Sequence, residues 1–333
     1  MDKKPRSLRT LIAVVITVLT LGVLIWGTFF TVDYLVLDPK GPIGEKQKDL
    51  IIISTLLCSI VIVPVLILTA VIVWRYRDKP KRKAAYDPNW HHSTKLETIW
   101  WGVPIVIILV LGIVTAKYTY ALEPSKPLDP EQKPVTVQVV SLNWKWLFLY
   151  PEEGIATVNT LTIPKDVPIR FEITADSPMN SFWIPQLGGQ IYAMNGMSMT
   201  LYLKADEVGT YFGSGANFTG EQFTKMRFDV HAKTQKDYDA WVDSVKQKTD
   251  KTLTADGYNT LAKPGVMGEE EYSSFPEGIY NKIAFKYVVE GEGHHHGGGS
   301  AKGSSTEDQD MDMDMSGMDM SHESDASTSH AGH

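Results

Sequence analysis

Three stretches of the chain carry no charged residue: 10–32, 50–74 and 98–116. A helix that crosses the hydrocarbon core of a bilayer needs about 20 apolar residues. Each stretch therefore predicts a membrane helix, the third extended by its ends, with Lys117 snorkelling outward. Pro64 and Pro104 fall inside two of them, which membrane helices tolerate because neighbouring groups satisfy the freed carbonyls. Beyond Glu123-Pro124 the pattern changes to short apolar or half-alternating runs at 135–140, 144–150, 169–174, 199–203 and 225–230. Turn signals separate them: Pro151 to Gly154, Gly188-Gly189, Gly213 to Gly215, and Gly220. Short runs at that spacing predict an antiparallel sandwich or barrel. Thr234 and Asp237 then form a capping-box-like start, and Tyr238, Trp241, Val242 and Val245 follow at helical spacing. They predict an amphipathic helix over 235–249. Residues 291–333 hold few apolar side chains other than Met, too few to offset the entropy of ordering, and read as a disordered tail.

Charge gives these elements a direction. Residues 1–120 carry 15 Lys/Arg against 8 Asp/Glu, a balance of +7; the remaining 17 against 31 give −14, together the net −7 of the chain. Lys3, Lys4, Arg6 and Arg9 precede the first run, and Arg75, Arg77, Lys79, Lys81, Arg82, Lys83 and Lys95 lie between the second and third. By the positive-inside rule the N-terminus and the 75–95 loop are cytoplasmic, and everything after about 121 is exported. Trp74, Trp90, Trp100 and Trp101 mark the cytoplasmic boundary as interfacial aromatics do. The acidic exported part repels nucleic-acid phosphates. The first run has the basic start of a signal peptide, but Gly27-Thr28-Phe29-Phe30 offers no small-residue cleavage pattern. It reads as a retained third helix, with a cleaved leader as the alternative. Cys58, the one cysteine, lies in an apolar run and permits no intrachain disulfide.

Particular segments carry a family resemblance. They are Leu37-Asp38-Pro39-Lys40-Gly41-Pro42-Ile43-Gly44, Trp74-Arg75-Tyr76-Arg77, Tyr86-Asp87-Pro88-Asn89-Trp90, and Ala121-Leu122-Glu123-Pro124-Ser125-Lys126-Pro127-Leu128. In the exported part Asn143-Trp144-Lys145-Trp146, Gly154-Ile155-Ala156-Thr157-Val158-Asn159, Asn180-Ser181-Phe182-Trp183-Ile184-Pro185 and Gln190-Ile191-Tyr192-Ala193-Met194 join them. Over nearly its whole length the chain resembles subunit II of the haem-copper terminal oxidases, in their quinol-oxidising, cytochrome bo-type branch. The resemblance implies a transmembrane helical hairpin followed by an all-β, cupredoxin-like sandwich with an appended helix. The expected divisions are an N-terminal apolar segment over 1–36, the hairpin over 37–121, the β domain over 122–232, a helical extension over 233–290 and the tail over 291–333.

Relatives that accept electrons from cytochrome c hold two coppers in this domain, on two cysteines, two histidines, a methionine and a backbone carbonyl. In their pattern the first histidine falls at Asn180, the cysteines at Gly215 and Thr219, the second histidine at Phe223, and the methionine at Met226. Residues 121–290 contain no cysteine and one histidine, His231. Bridging thiolates cannot be replaced by hydroxyls or amides, so no such centre forms and cytochrome c is excluded as electron donor. The resemblance then implies a complex that oxidises ubiquinol, reduces oxygen to water and translocates protons. Its haem and copper belong to a large catalytic subunit, on which this chain docks together with other small membrane subunits and lipid; the chain itself is expected to bind no cofactor. Glu97, at the cytoplasmic start of the third run, is a carboxylate at a costly depth. It is a candidate for the point where protons enter, or a residue that stabilises its helix N-terminus. Trp144 and Trp146 match aromatics on the electron path of copper-bearing relatives and here read as packing. His294-His295-His296 and Met311, Met313, Met315, Met318 and Met320 have the donor types for loose copper binding, and with them the chain reads alternatively as a membrane-anchored copper-delivery protein.

Overall fold

The computed structural model of the chain describes residues 34–76, 92–248 and 251–287, with scattered helical positions between 16 and 27. Most of the first apolar run, expected as a retained helix, residues 77–91 of the basic loop, and the Met/His-bearing tail lie outside the described residues. Helix α1 spans Pro42–Tyr76 and α2 spans Thr94–Ala121. At 1.5 Å per residue they run roughly 50 and 40 Å, each longer than a bilayer core. The most apolar stretch of each is uncovered by the rest of the chain. Such continuous apolar surface requires lipid or another protein against it. The two helices pack on each other as a hairpin, and the sandwich adjoins the end formed by the start of α1 and the exit of α2.

Eleven strands among the described residues build two sheets. One contains β1 (Val135–Leu142), β2 (Lys145–Tyr150), β3 (Ile155–Val158), β5 (Ile169–Ala175), β8 (Met199–Leu203) and β11 (Glu270–Tyr272), in the order β11-β3-β2-β1-β5-β8. The other contains β4 (Thr160–Pro164), β6 (Asn180–Trp183), β7 (Ile191–Ala193), β9 (Gly209–Gly215) and β10 (Arg227–Lys233), in the order β4-β10-β9-β6-β7. Pairs β1/β5 and β4/β10 are parallel and the other pairs antiparallel. Between the sheets Trp146, Phe148, Phe171, Phe182 and Phe228 form an aromatic core, with Phe182 and Phe228 stacked at 5.3 Å and Trp146 edge-on to Phe182 at 5.4 Å.

The other face of the first sheet is covered as well. Val140, Leu142, Leu147 and Leu149 meet Leu253, Tyr258, Leu261, Ile279 and Ile283 of the C-terminal extension. Burial on both faces explains why Trp146-Leu147-Phe148-Leu149-Tyr150 is apolar throughout, where a half-exposed strand alternates. The expected helix is present as α3 (Gln235–Lys248), started by Thr234, whose Oγ1 accepts from Asp237 N at 3.2 Å and bonds Asp237 Oδ2 at 2.7 Å. Its Tyr238, Val242 and Val245 complete the inter-sheet core. The extension adds α4 (Ala255–Leu261) and α5 (Ile279–Ala284), and also β11, an edge strand of the first sheet.

One segment reads differently from its sequence. Gly213 to Gly215, which look like a turn, lie within β9. The glycine is there for space: a Cβ on Gly213 would overlap the ring of Phe228 in the neighbouring strand.

Candidate functional sites

Four of the five positions that would carry copper ligands come together, Asn180, Gly215, Phe223 and Met226. Asn180 opens β6, Gly215 ends β9, Phe223–Lys225 form a 3₁₀ turn, and Met226 precedes β10. Asn180 is fully buried. Its Nδ2 donates to Met226 Sδ at 2.9 Å, and its Oδ1 accepts from the backbone N–H of Ser181 at 2.8 Å and of Asn217 at 3.4 Å. A Cβ on Gly215 would stand 2.8 Å from the amide atoms of Asn180, so the absent side chain and the amide fit one space. Thr219 offers its carbonyl to Trp144 Nε1 at 2.9 Å. The ring of Phe223 packs at 5.7 Å on Phe218, which is 80% exposed.

The cluster supplies one soft donor, the Met226 thioether, and an amide already occupies it. Asn, Gly, Thr and Phe offer no thiolate and no imidazole, so a two-copper centre does not fit. His231 lies along β10 opposite Thr210, bonded to its Oγ1 at 3.1 Å, not in the cluster. Trp146 is wholly buried in the aromatic core, which supports packing as its role. Replacing Asn180 by Ala leaves two backbone donors without their acceptor and opens a cavity beside Met226. It is expected to lower stability by about 1–3 kcal/mol, measured by thermal unfolding.

This arrangement coincides with a known domain: residues 152–233 match the family described as cytochrome C oxidase subunit II, periplasmic domain. The chain is also 52% identical over 239 residues to quinol oxidase subunit 2 of Bacillus cereus, covering 72% of this chain and 82% of that protein. This chain belongs to the quinol oxidase subunit II family. It is likewise 50% identical over 232 residues to cytochrome bo(3) ubiquinol oxidase subunit 2 of Pseudomonas putida, covering 70% and 73% of the two chains. With ubiquinol oxidase subunit 2 of Acetobacter aceti the identity is 46% over 254 residues, 76% and 82% of the two. In this subunit II the amide of Asn180, Gly215 and the thioether of Met226 pack on one another.

The second site in this subunit II lies at the other end of the hairpin. Glu97 is in the first turn of α2, and its N–H bonds Ser93 O at 3.0 Å, as the helix start requires. Its Oε1 is 2.6 Å from Nδ1 of His92, and Nε2 of His92 is 3.2 Å from Oγ1 of Thr94. The carboxylate is 37% exposed, the imidazole 63%. Sequence reasoning singled out Glu97 and did not join His92 to it. The signal that could have joined them is the helix start at Ser93, which turns the chain so that residues on either side of the cap meet. A third cluster had no sequence signal. Asp176, after β5, is buried, and Tyr258, Lys286 and Tyr287 from the C-terminal extension converge on its carboxylate.

Proposed function

We propose that this chain is the redox-metal-free subunit II of a complex that oxidises ubiquinol, reduces oxygen to water and translocates protons. Haem and copper reside in the catalytic subunit. The apolar flanks of α1 and α2 dock on that subunit and on the other small membrane subunits, with lipid filling the remainder. The N-terminus and the 75–95 loop face the cytoplasm, and the sandwich faces the outer side of a bacterial inner membrane. Glu97 then lies on the cytoplasmic side, from which protons are drawn, and collects them for the catalytic subunit.

One observation carries the reading: Asn180, Gly215 and Met226 pack tightly on one another, and Thr219 and Phe223 stand with them at positions where an electron-accepting copper pair would need cysteine and histidine. With no relay in the exported domain, electrons reach the catalytic subunit from a donor dissolved in the membrane. The test is oxygen uptake by the complex purified through this chain. Fast turnover with ubiquinol, none with reduced cytochrome c and no near-infrared two-copper band are expected; turnover with cytochrome c overturns the reading.

A further inference from the structure

Where α1 meets the sandwich the chain leaves a groove of about 540 Å³, within the size range of small-molecule sites. Gln47, Leu50 and Ile51 of α1 form one wall; Trp183, at the end of β6, with Pro185 and Gln190 of the following loop, forms the other. No ionisable side chain lines it. Its place along α1 fixes its surroundings. The charge-free run of α1 begins at Leu50, so Leu50 and Ile51 stand at the edge of the hydrocarbon and Gln47, one turn earlier, at headgroup depth. Ile51 is exposed, and the same flank continues through Cys58 and Ile62, both exposed. The groove therefore runs without a break into the apolar surface of the membrane span. Tryptophan, as at Trp183, is a residue that settles at the membrane–water interface. Charge is arranged around the groove as well. At about 100° per residue, Gln47, Leu50 and Ile51 share one face of α1, Lys46 and Lys48 fall on its two flanks, and Glu45 and Asp49 on the far side of the helix. Among the described residues neither lysine has a carboxylate partner.

We propose that this groove holds one acyl chain of a phospholipid from the leaflet on the sandwich's side, with Lys46 and Lys48 on its phosphate. An ammonium donates charge-assisted hydrogen bonds to phosphate oxygens, and basic side chains at this depth draw anionic headgroups. The acyl chain lies against Leu50, Ile51 and Trp183, and Gln47 and Gln190 offer neutral amide donors at the depth of its ester carbonyls. An uncharged quinol, or an apolar side chain of another protein, would fill the groove and leave both lysines without a counter-charge. The lipid would close the space between anchor and sandwich, beside the join that Ile43 and Gly44 make with Leu187 and Gly188. A membrane around α1 is all this requires, whichever side the sandwich faces.

The experiment uses the whole complex in lipid nanodiscs, with phosphatidylglycerol that carries a photoactivatable diazirine on its acyl chain. Labelled peptides of this chain are read by mass spectrometry. Label on 47–51 and 183–190 is expected to exceed that on the exposed stretch 60–72 of α1. Lys46→Gln with Lys48→Gln should lower the groove label by roughly fivefold for each lysine, with the label on 60–72 and the unfolding temperature unchanged. Gly189→Leu should abolish the groove label by filling the space: a Cβ there meets only the amide end of Gln47, at 2.7 Å, a flexible group that can swing aside. A diazirine ubiquinone analogue, run in parallel, should label the groove no more than 60–72. Groove label no higher than that of 60–72, or unchanged in both variants, means that protein covers the groove, and overturns the proposal. Groove label from the quinone that excess phosphatidylglycerol does not displace makes it a quinol site and overturns the proposal as well. Ubiquinol turnover, read on the same samples, tests the oxidase reading separately.

Discussion

Replacing Asp176 by Ala is expected to free the C-terminal extension from the sandwich. The carboxylate side chain is 3% exposed. It accepts from Tyr258 Oη at 2.7 Å, Tyr287 Oη at 2.9 Å and Lys286 Nζ at 3.0 and 3.1 Å. All three donors come from the extension, and Asp176 belongs to the first sheet's loop after β5. The buried Tyr258 hydroxyl would have neither its acceptor nor water. Breaking a buried charged network by removing one member costs about 3–5 kcal/mol; Lys286, half exposed, can rehydrate, which places the loss near the lower end. Because α4 and α5 also cover Val140, Leu142, Leu147 and Leu149, release would open the second core. Hydrogen exchange should lose protection over 253–287 while the inter-sheet core keeps it. Equal protection in both would sink the account.

The same carboxylate sets a pH dependence. Burial alone would raise its pKa, but the Tyr258, Lys286 and Tyr287 donors and the Lys286 charge outweigh it and hold the group below its ordinary range. An aspartate with a lowered folded pKa stabilises fully above its unfolded value, about 4. That contribution is lost as pH falls below about 4 toward the lowered folded value. Protection of 253–287 should therefore be flat from neutral pH to about 5 and decline in stronger acid, earlier than the sandwich. In the Ala variant this acid-dependent step should be absent.

Much of this architecture is written locally. Charge-free runs announce α1 and α2 because a bilayer demands nothing subtler than length and apolarity. Five of the strands, and α3 with its Thr234 start, follow from apolar periodicity. The elements that sequence reasoning missed are those whose residues answer to distant neighbours. β9 looks like a turn because Gly213 makes room for a ring on the adjacent strand. β11 is three residues of Glu-Glu-Tyr, whose strand form comes from pairing with β3. Asn159 at φ 57°, between β3 and β4, looks like a turn residue, and its side chain also accepts from Trp146 N at 2.9 Å. For the site, the missing copper ligands were legible because residues 121–290 hold no cysteine and His231 as their one histidine. The Asn180–Met226 bond was not, since 46 residues separate the partners. Nor was the Asp176 network, which joins residues 110 apart.

Gly41→Val is expected to uncouple the membrane hairpin from the sandwich. The family-like segment Leu37 to Gly44 leads into the first turn of α1, and the structure shows what its small residues do. Lys40 N bonds Gln186 O at 2.7 Å, Asp206 N bonds Lys40 O at 2.9 Å, and Gly44 N bonds Leu187 O at 3.1 Å. Ile43 enters the inter-sheet core beside Leu187. A Cβ on Gly41 would overlap the backbone carbonyl oxygen of Lys204, and one on Gly44 would stand 2.9 Å from Pro39 Cβ and 3.0 Å from Gln186 O. Backbone cannot move aside as a flexible side chain can, so the valine must push α1 off the sandwich. The loss includes the burial of Ile43, about 1.5–3 kcal/mol, and three backbone bonds of about 1 kcal/mol each; a total above about 3 kcal/mol is expected. Gly268→Ala, with open space around its Cβ position and no positive φ, should stay within about 0.5 kcal/mol and serves as the control. Beyond α2, Tyr202 N bonds Pro124 O at 2.9 Å and Leu122 and Leu128 pack against the inter-sheet core, contacts that hold the exit of α2 and not the start of α1. Assembled complex carrying Gly41→Val should therefore show a lower unfolding temperature and a lower yield of subunit II bound to the catalytic subunit. Parent-like unfolding and yield would mean that the junction is a flexible link, and that the fit of the exported domain to its partner does not depend on how α1 is held.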